Sequence, residues 1–280
     1  MRIGPYQVYS VETGRFGLDG GAMFGVVPKT FWSKTNPSDE RNRIGLAMRA
    51  LLLLYKDRKM LVDVGCGHKF SDKLKDIYNL DNSQFTLQGS LAKHGLNPDE
   101  ITDVIFTHLH FDHAGGATQY QQDQVNLTFP FATHYVQRSH WERALKPSEK
   151  DRASFMEQDI APFINSSQLR ILDGSCELFP GLQLLISNGH TLGLQMVKIQ
   201  DDSTTLFYCG DLMPTASHLP LPYIMGYDIY PLTTIEEKRT YLHQACDQNW
   251  IIALEHDPSY QAIRIKQGKK HHEIRESLTL

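Results

Sequence analysis

Thr107-His108-Leu109-His110-Phe111-Asp112-His113-Ala114-Gly115-Gly116 places four potential metal ligands within six consecutive positions. The apolar run Val104-Ile105-Phe106 leads into them and two glycines follow. In extended backbone alternate side chains share a face, so His108, His110 and Asp112 would point one way. His113 breaks that alternation and points elsewhere, as it would in a turning chain. Gly115 and Gly116 permit the turn at little steric cost. The stretch can therefore present two groups of ligands to two neighbouring cations.

Further along, three other apolar runs of strand type end in the same residue types. Leu184-Leu185-Ile186-Ser187-Asn188-Gly189 precedes His190, Thr205-Leu206-Phe207-Tyr208-Cys209-Gly210 precedes Asp211, and Ile251-Ile252-Ala253-Leu254-Glu255 precedes His256. Four strands that deliver ligands from their C-terminal ends imply one shared sheet edge, where sheet enzymes place their sites. Any one run has an ordinary structural explanation; four together are most economically explained by a site.

The HxHxDH stretch with its later His, Asp and His resembles the metallo-β-lactamase superfamily, nearest in character to the lactonase and organophosphate-hydrolase-like branch. Leu61-Val62-Asp63-Val64-Gly65 is similar to that family's first motif, with Val64 where threonine is usual. The resemblance covers roughly residues 45 to 260. It implies an α/β fold, a four-layered αββα sandwich of two mixed sheets flanked by helices. It also implies two divalent ions, usually zinc: one held by His108, His110 and His190, the other by Asp112, His113 and His256, with Asp211 bridging.

The expected activity is cleavage of a lactone or carboxylic ester, with organophosphate esters as further substrates, by a hydroxide between the ions. Asp112 and Asp211 are the expected catalytic residues. A phosphodiesterase, a glyoxalase-II-type thioesterase and a non-catalytic metal-binding sensor are the alternatives. A donor set of imidazoles and carboxylates without thiolates suits zinc, and also manganese, iron or cobalt. Oxygen-reducing members of the superfamily usually carry a glutamate at the place of His110 and an attached flavin domain. This chain has neither.

The chain has 280 residues, 41% hydrophobic, and a net charge of -4. It has no basic excess to favour nucleic acid or an anionic membrane, which leaves a small-molecule substrate, with a homodimer open as the assembly. The four cysteines, Cys66, Cys176, Cys209 and Cys246, show no CxxC spacing and read as buried or free thiols of a reducing compartment. The N-terminus carries no signal-type apolar segment and no run is long enough to span a bilayer, so a cytoplasmic location is expected. The sequons at Asn126 and Asn165 then have no function.

One domain over residues 1–280 is the simplest organisation, with residues 1–45 a lead-in folding onto the active-site face. Within it, four glycines between Phe16 and Gly25 argue against a helix. By resemblance, Met23 and Phe24 form an apolar wall for the substrate. A proline-rich loop follows Asp211, and its polar members His218 and Tyr223 complete the candidate substrate-binding set. Lactonases of the superfamily commonly carry a tyrosine three positions after the bridging aspartate; Pro214 stands there. Helices are expected at 139–145, 152–164 and 235–248. Paired strands are expected at 50–55 and 59–62, and further strands at 169–172, 182–187, 194–199 and 204–209. The tail 266–272 reads as a solvated basic turn.

Overall fold

A computed structural model describes all residues from Met1 to Leu280. Two seven-stranded mixed sheets, each with helices, make up the α/β fold. The chain divides into two compact units, Met1–Arg15 with Met48–Gly174 and Phe16–Ala47 with Ser175–Leu280.

Strands Arg43–Tyr55 and Arg58–Val62 form the expected hairpin, closed at the Tyr55–Arg58 pair. Lys56 takes a positive φ of 52° in the tight turn. Arg58–Val62, Asp103–Ile105, Thr133–Gln137 and Leu169–Leu172 then run parallel. Val104, buried on this sheet, packs with Phe106, Phe129, Phe163, Leu52 and Leu61 in one apolar core. Asp103–Ile105 is buried throughout, and the ligand motif begins two residues after it.

In the second unit, the three strands that precede candidate ligands point the same way. Leu182–Ser187 pairs antiparallel with Leu194–Gln200, which pairs antiparallel with Thr205–Tyr208. Two reversals restore the direction. Thr205–Tyr208 in turn pairs parallel with Ile251–Ala253. All three C-terminal ends therefore reach one sheet edge, and His190, Asp211 and His256 follow them. Helix Pro231–Asp247 buries Thr234, Lys238, Leu242 and Ala245 along one face. Leu242 and Ala245 join Trp250, Phe207 and Leu194 in the core of this unit.

Several expectations need correction. Gly20–Phe24 is a short helix despite its glycines. The Asp19 side chain accepts from Ala22 N at its N-terminus, which offsets the low intrinsic propensity. Gly20 is also required there, because a Cβ would lie 2.3 Å from the Trp32 ring. The stretch 152–164 is not one helix but Arg152–Ser154, Glu157–Ile160 and Ala161–Phe163 in separate turns. Pro162 removes a backbone donor and disfavours helical geometry before it. The tail is not only a turn: Ala262–Gln267 and His272–Leu278 form an antiparallel hairpin around it. No helix is long and apolar enough to cross a membrane.

Candidate metal centre

In the first unit the motif leaves its strand as extended chain and then winds into the short helix Phe111–Ala114. The close fit of this turn depends on glycine. A Cβ on Gly116 would sit 2.2 Å from the Val64 carbonyl, and one on Gly115 2.5 Å from that of Cys66. Asp63, at a positive φ of 55°, anchors the motif from the preceding loop. Its carboxylate accepts from Thr107 N at 2.7 Å and from Thr107 Oγ1 at 2.6 Å.

These bonds fix the imidazoles. Thr107 Oγ1 spends its proton on Asp63, so it accepts from His108 Nδ1 at 3.0 Å. His113 Nδ1 faces Asp63 Oδ2 at 3.2 Å. Both rings are thereby held as the Nδ1–H tautomer with a lone pair on Nε2. His108 Nε2 lies 3.0 Å from His110 Nδ1, and His113 Nε2 lies 3.7 Å from Asp112 Oδ2. All four ligand residues are buried.

The second unit repeats the device. His190 Nδ1 donates to Asp228 Oδ1 at 2.9 Å, and His256 Nδ1 donates to the Ala47 carbonyl at 2.8 Å. The His256 backbone is held as well, because Ala47 N donates to His256 O. Each Nε2 then faces a different oxygen of Asp211. His190 lies 3.2 Å from Oδ2 and His256 3.2 Å from Oδ1.

Those spacings test whether the donors suit a cation. Zinc binds nitrogen and oxygen at about 2.0–2.2 Å, which puts neighbouring ligand atoms of a tetrahedron about 3.3 Å apart. The pairs within each unit cluster around that value. One carboxylate thus lies within 3.2 Å of two different imidazoles. Imidazole and carboxylate donors suit zinc and other first-row divalent ions.

Other histidines have other roles. His140 accepts from Leu109 N through Nε2 at 2.7 Å and so holds the motif backbone. His134 is enclosed by Phe106, Phe129 and Phe163. Burial lowers its pKa from the ordinary 6.5 to about 4. The folded state therefore keeps this ring neutral, while the unfolded chain takes up a proton below about 6.5. Stability is whole above pH 6.5 and declines as pH falls from there toward 4, by roughly 2 kcal/mol at pH 5. His134→Leu removes this dependence. Its melting temperature relative to wild type is expected to rise between pH 7.5 and pH 5, and an unchanged difference would show that the ring is not buried neutral.

Cys66 is buried beside the motif turn, and burial with the nearby Asp112 charge pushes its thiol up to about 12. It is thus an inert structural thiol near neutral pH. Phe111, inside the motif, packs its ring against Phe70 and Tyr78 at 5.3 and 4.8 Å.

The four candidate substrate residues gather in the second unit. Phe24 stacks between Trp32 and His218, at 5.5 and 4.6 Å, and meets Tyr223 edge-on at 6.1 Å. His218 has both ring nitrogens engaged, Nδ1 with Thr215 Oγ1 and Nε2 with the Met23 carbonyl, each at 2.8 Å. Burial depresses its pKa to about 3. His218 is therefore a neutral peg between the loop and the Gly20–Phe24 helix, and Met23 and Phe24 are themselves buried. Pro214 contributes its carbonyl, which accepts from His256 N at 3.1 Å.

Residues 49–256 match the metallo-beta-lactamase superfamily model. The chain belongs to that superfamily. An N-acyl homoserine lactonase of Bacillus thuringiensis is 35% identical over 114 residues, 41% of this chain and 39% of the relative. The N-acyl homoserine lactonase AttM of Rhizobium radiobacter is 25% identical over 59% of this chain and 61% of its own length. The matches thus span less than two thirds of these relatives. Among solved structures, a probable metal-dependent hydrolase from Staphylococcus aureus superposes with a TM-score of 0.89 at 29% identity, over the full length of both chains. The dizinc quorum-quenching lactonase AidC, in complex with a product, gives 0.83 at 20% identity, over 100% of this chain and 97% of its own. The second is a likeness of fold.

Proposed function

We propose that this chain is a dinuclear metal-dependent hydrolase that opens a lactone or another carboxylic ester. In this reading His108, His110, His190 and Asp211 hold one divalent ion, and Asp112, His113 and His256 hold the second together with Asp211. The observation that carries it is the Asp211 carboxylate, whose two oxygens address the Nε2 atoms of two different histidines. When bound, such ions polarise a carbonyl and acidify water. Zinc is the proposed metal, in keeping with the dizinc neighbour.

The chain's own residues then have distinct tasks. Asp63, Thr107, Asp228 and the Ala47 carbonyl hold the imidazoles in the tautomer that turns Nε2 toward the cation. Removal of such outer partners typically costs 10- to 100-fold in affinity or activity, so they are part of the machinery rather than decoration. Asp211 addresses His190 with one oxygen and His256 with the other. Asp112, beside His113, carries a proton from the incoming water toward the leaving oxygen. The buried Phe24–His218 stack, tied to the Met23 carbonyl, backs the loop that bears Tyr223, and that loop forms the wall against a partly apolar substrate.

The ester class is supported by the relatives, which are named as N-acyl homoserine lactonases. A panel of acyl-homoserine lactones, aryl esters, a phosphotriester, bis-nitrophenyl phosphate and S-lactoylglutathione tests it. We expect the highest kcat/KM on a lactone or carboxylic ester, with weaker phosphotriester turnover. Preference for the phosphodiester or the thioester would replace this reading, and no turnover of any substrate by metal-loaded protein would favour a binding role.

A further inference from the structure

Lys238 sits on the inward face of helix Pro231–Asp247, in register with buried Thr234, Leu242 and Ala245. Only 1% of its surface is exposed. A lysine in that position is costly unless its ammonium is fully hydrogen-bonded. It is: Nζ reaches the carbonyls of Pro220 at 2.8 Å, Tyr223 at 2.7 Å and Leu221 at 3.4 Å. An ammonium has three donors and no acceptor, and all three are directed at one short segment.

Leu219 and Leu221 of that segment pack into the apolar core, but few backbone hydrogen bonds tie it down. Pro220 and Pro222 lack backbone N–H groups, and the segment belongs to no strand. Its own bonds are short-range, Tyr223 N to Pro220 O and Ile224 N to Pro222 O. Yet it has a defined neighbourhood. Leu219, Pro220 and Tyr223 line a cavity of about 570 Å³ with Phe31, Asp257 and Tyr260. A few residues on, Asp228 holds His190. Its carboxylate also lies within the electrostatic reach of Lys238.

We propose that Lys238 is a positioning residue that fixes the Leu219–Tyr223 segment as the substrate-receiving wall and so sets KM. The inference rests on the hydrolase reading above, and its test separates the two. Lys238→Met keeps the length and apolar stem of the side chain but removes all three donors. Pro222→Gly loosens the same segment without touching the helix, which keeps the test open should the first variant fold poorly.

Hydrogen exchange on metal-loaded protein reads the clamp directly, without substrate. We expect the amides of Tyr223 and Ile224, both hydrogen-bonded within the segment, to exchange at least about tenfold faster in Lys238→Met, with the motif amides 107–116 and the metal content unchanged. Steady-state kinetics on the best ester of the panel should show KM raised about tenfold or more in both variants, with kcat within about twofold. Lys238→Arg, which retains donors and charge, should recover part of the loss. Unchanged exchange at Tyr223 and Ile224 would overturn the clamp, and unchanged KM in both variants, or a loss confined to kcat, would overturn its role in substrate reception. Failure of the wild type to turn over any ester would instead count against the functional reading, and the exchange result would still decide whether Lys238 holds the segment.

Discussion

Asp211→Asn should be as damaging as Asp211→Ala. The two oxygens of Asp211 each face a different imidazole at 3.2 Å. An amide keeps the volume of the side chain but offers one oxygen acceptor and no charge. It can complete the donor set on one side only. Loss of an outer partner of a metal ligand costs about 10- to 100-fold. Loss of the shared ligand affects both ions at once, so ester hydrolysis should fall by about 10³-fold or more. The fold should persist, because the cores of the two units do not include Asp211. Circular dichroism and kcat/KM on the same preparations check this. A variant with near wild-type turnover would remove Asp211 from the bridging role.

The second large effect concerns metal removal. The proposed donors include two carboxylates, Asp112 and Asp211, both buried. Without cations these two charges lose the compensation that the ions would supply. An ion present at about a thousand times its dissociation constant stabilises the folded state by about 4 kcal/mol. For a chain of this size that corresponds to a melting temperature lowered by roughly 10 °C on chelation. Ester hydrolysis should vanish with the metal and return on addition of zinc. Scanning calorimetry and activity before and after chelation measure both. A chelated protein with unaltered melting and turnover would contradict the metal-dependent reading.

The ligand residues were legible in the sequence because each of His190, Asp211 and His256 follows an apolar run, and because His108 to His113 are adjacent. Strand direction then places the C-terminal ends of the second unit's runs on one edge. The outer partners were legible only in part. Asp63 and Thr107 stand next to recognisable motifs and were open to inference. Asp228 lies in a loop 38 residues beyond its partner His190, where an aspartate cannot be told from an ordinary turn residue. The Ala47 carbonyl has no side-chain signature at all.

The misreadings have similar physical origins. Glycine content argued against the Gly20–Phe24 helix, yet the Asp19 cap and the packing of Trp32 against Gly20 outweigh intrinsic propensity there. Helical spacing at 152–164 overlooked the effect of Pro162. His218 looked like a polar member of an exposed loop, but tertiary contacts engage both of its nitrogens. Nothing in the sequence marks Lys238, and only the arrival of three loop carbonyls shows why it faces inward.

The central claim is that seven side chains hold two cations with Asp211 common to both. Counting bound zinc per chain at saturation, in wild type and Asp211→Asn side by side, tests it most directly. The account predicts two ions in the wild type and one or none in the variant. A wild type that saturates at one ion, or a variant that still binds two, would contradict it.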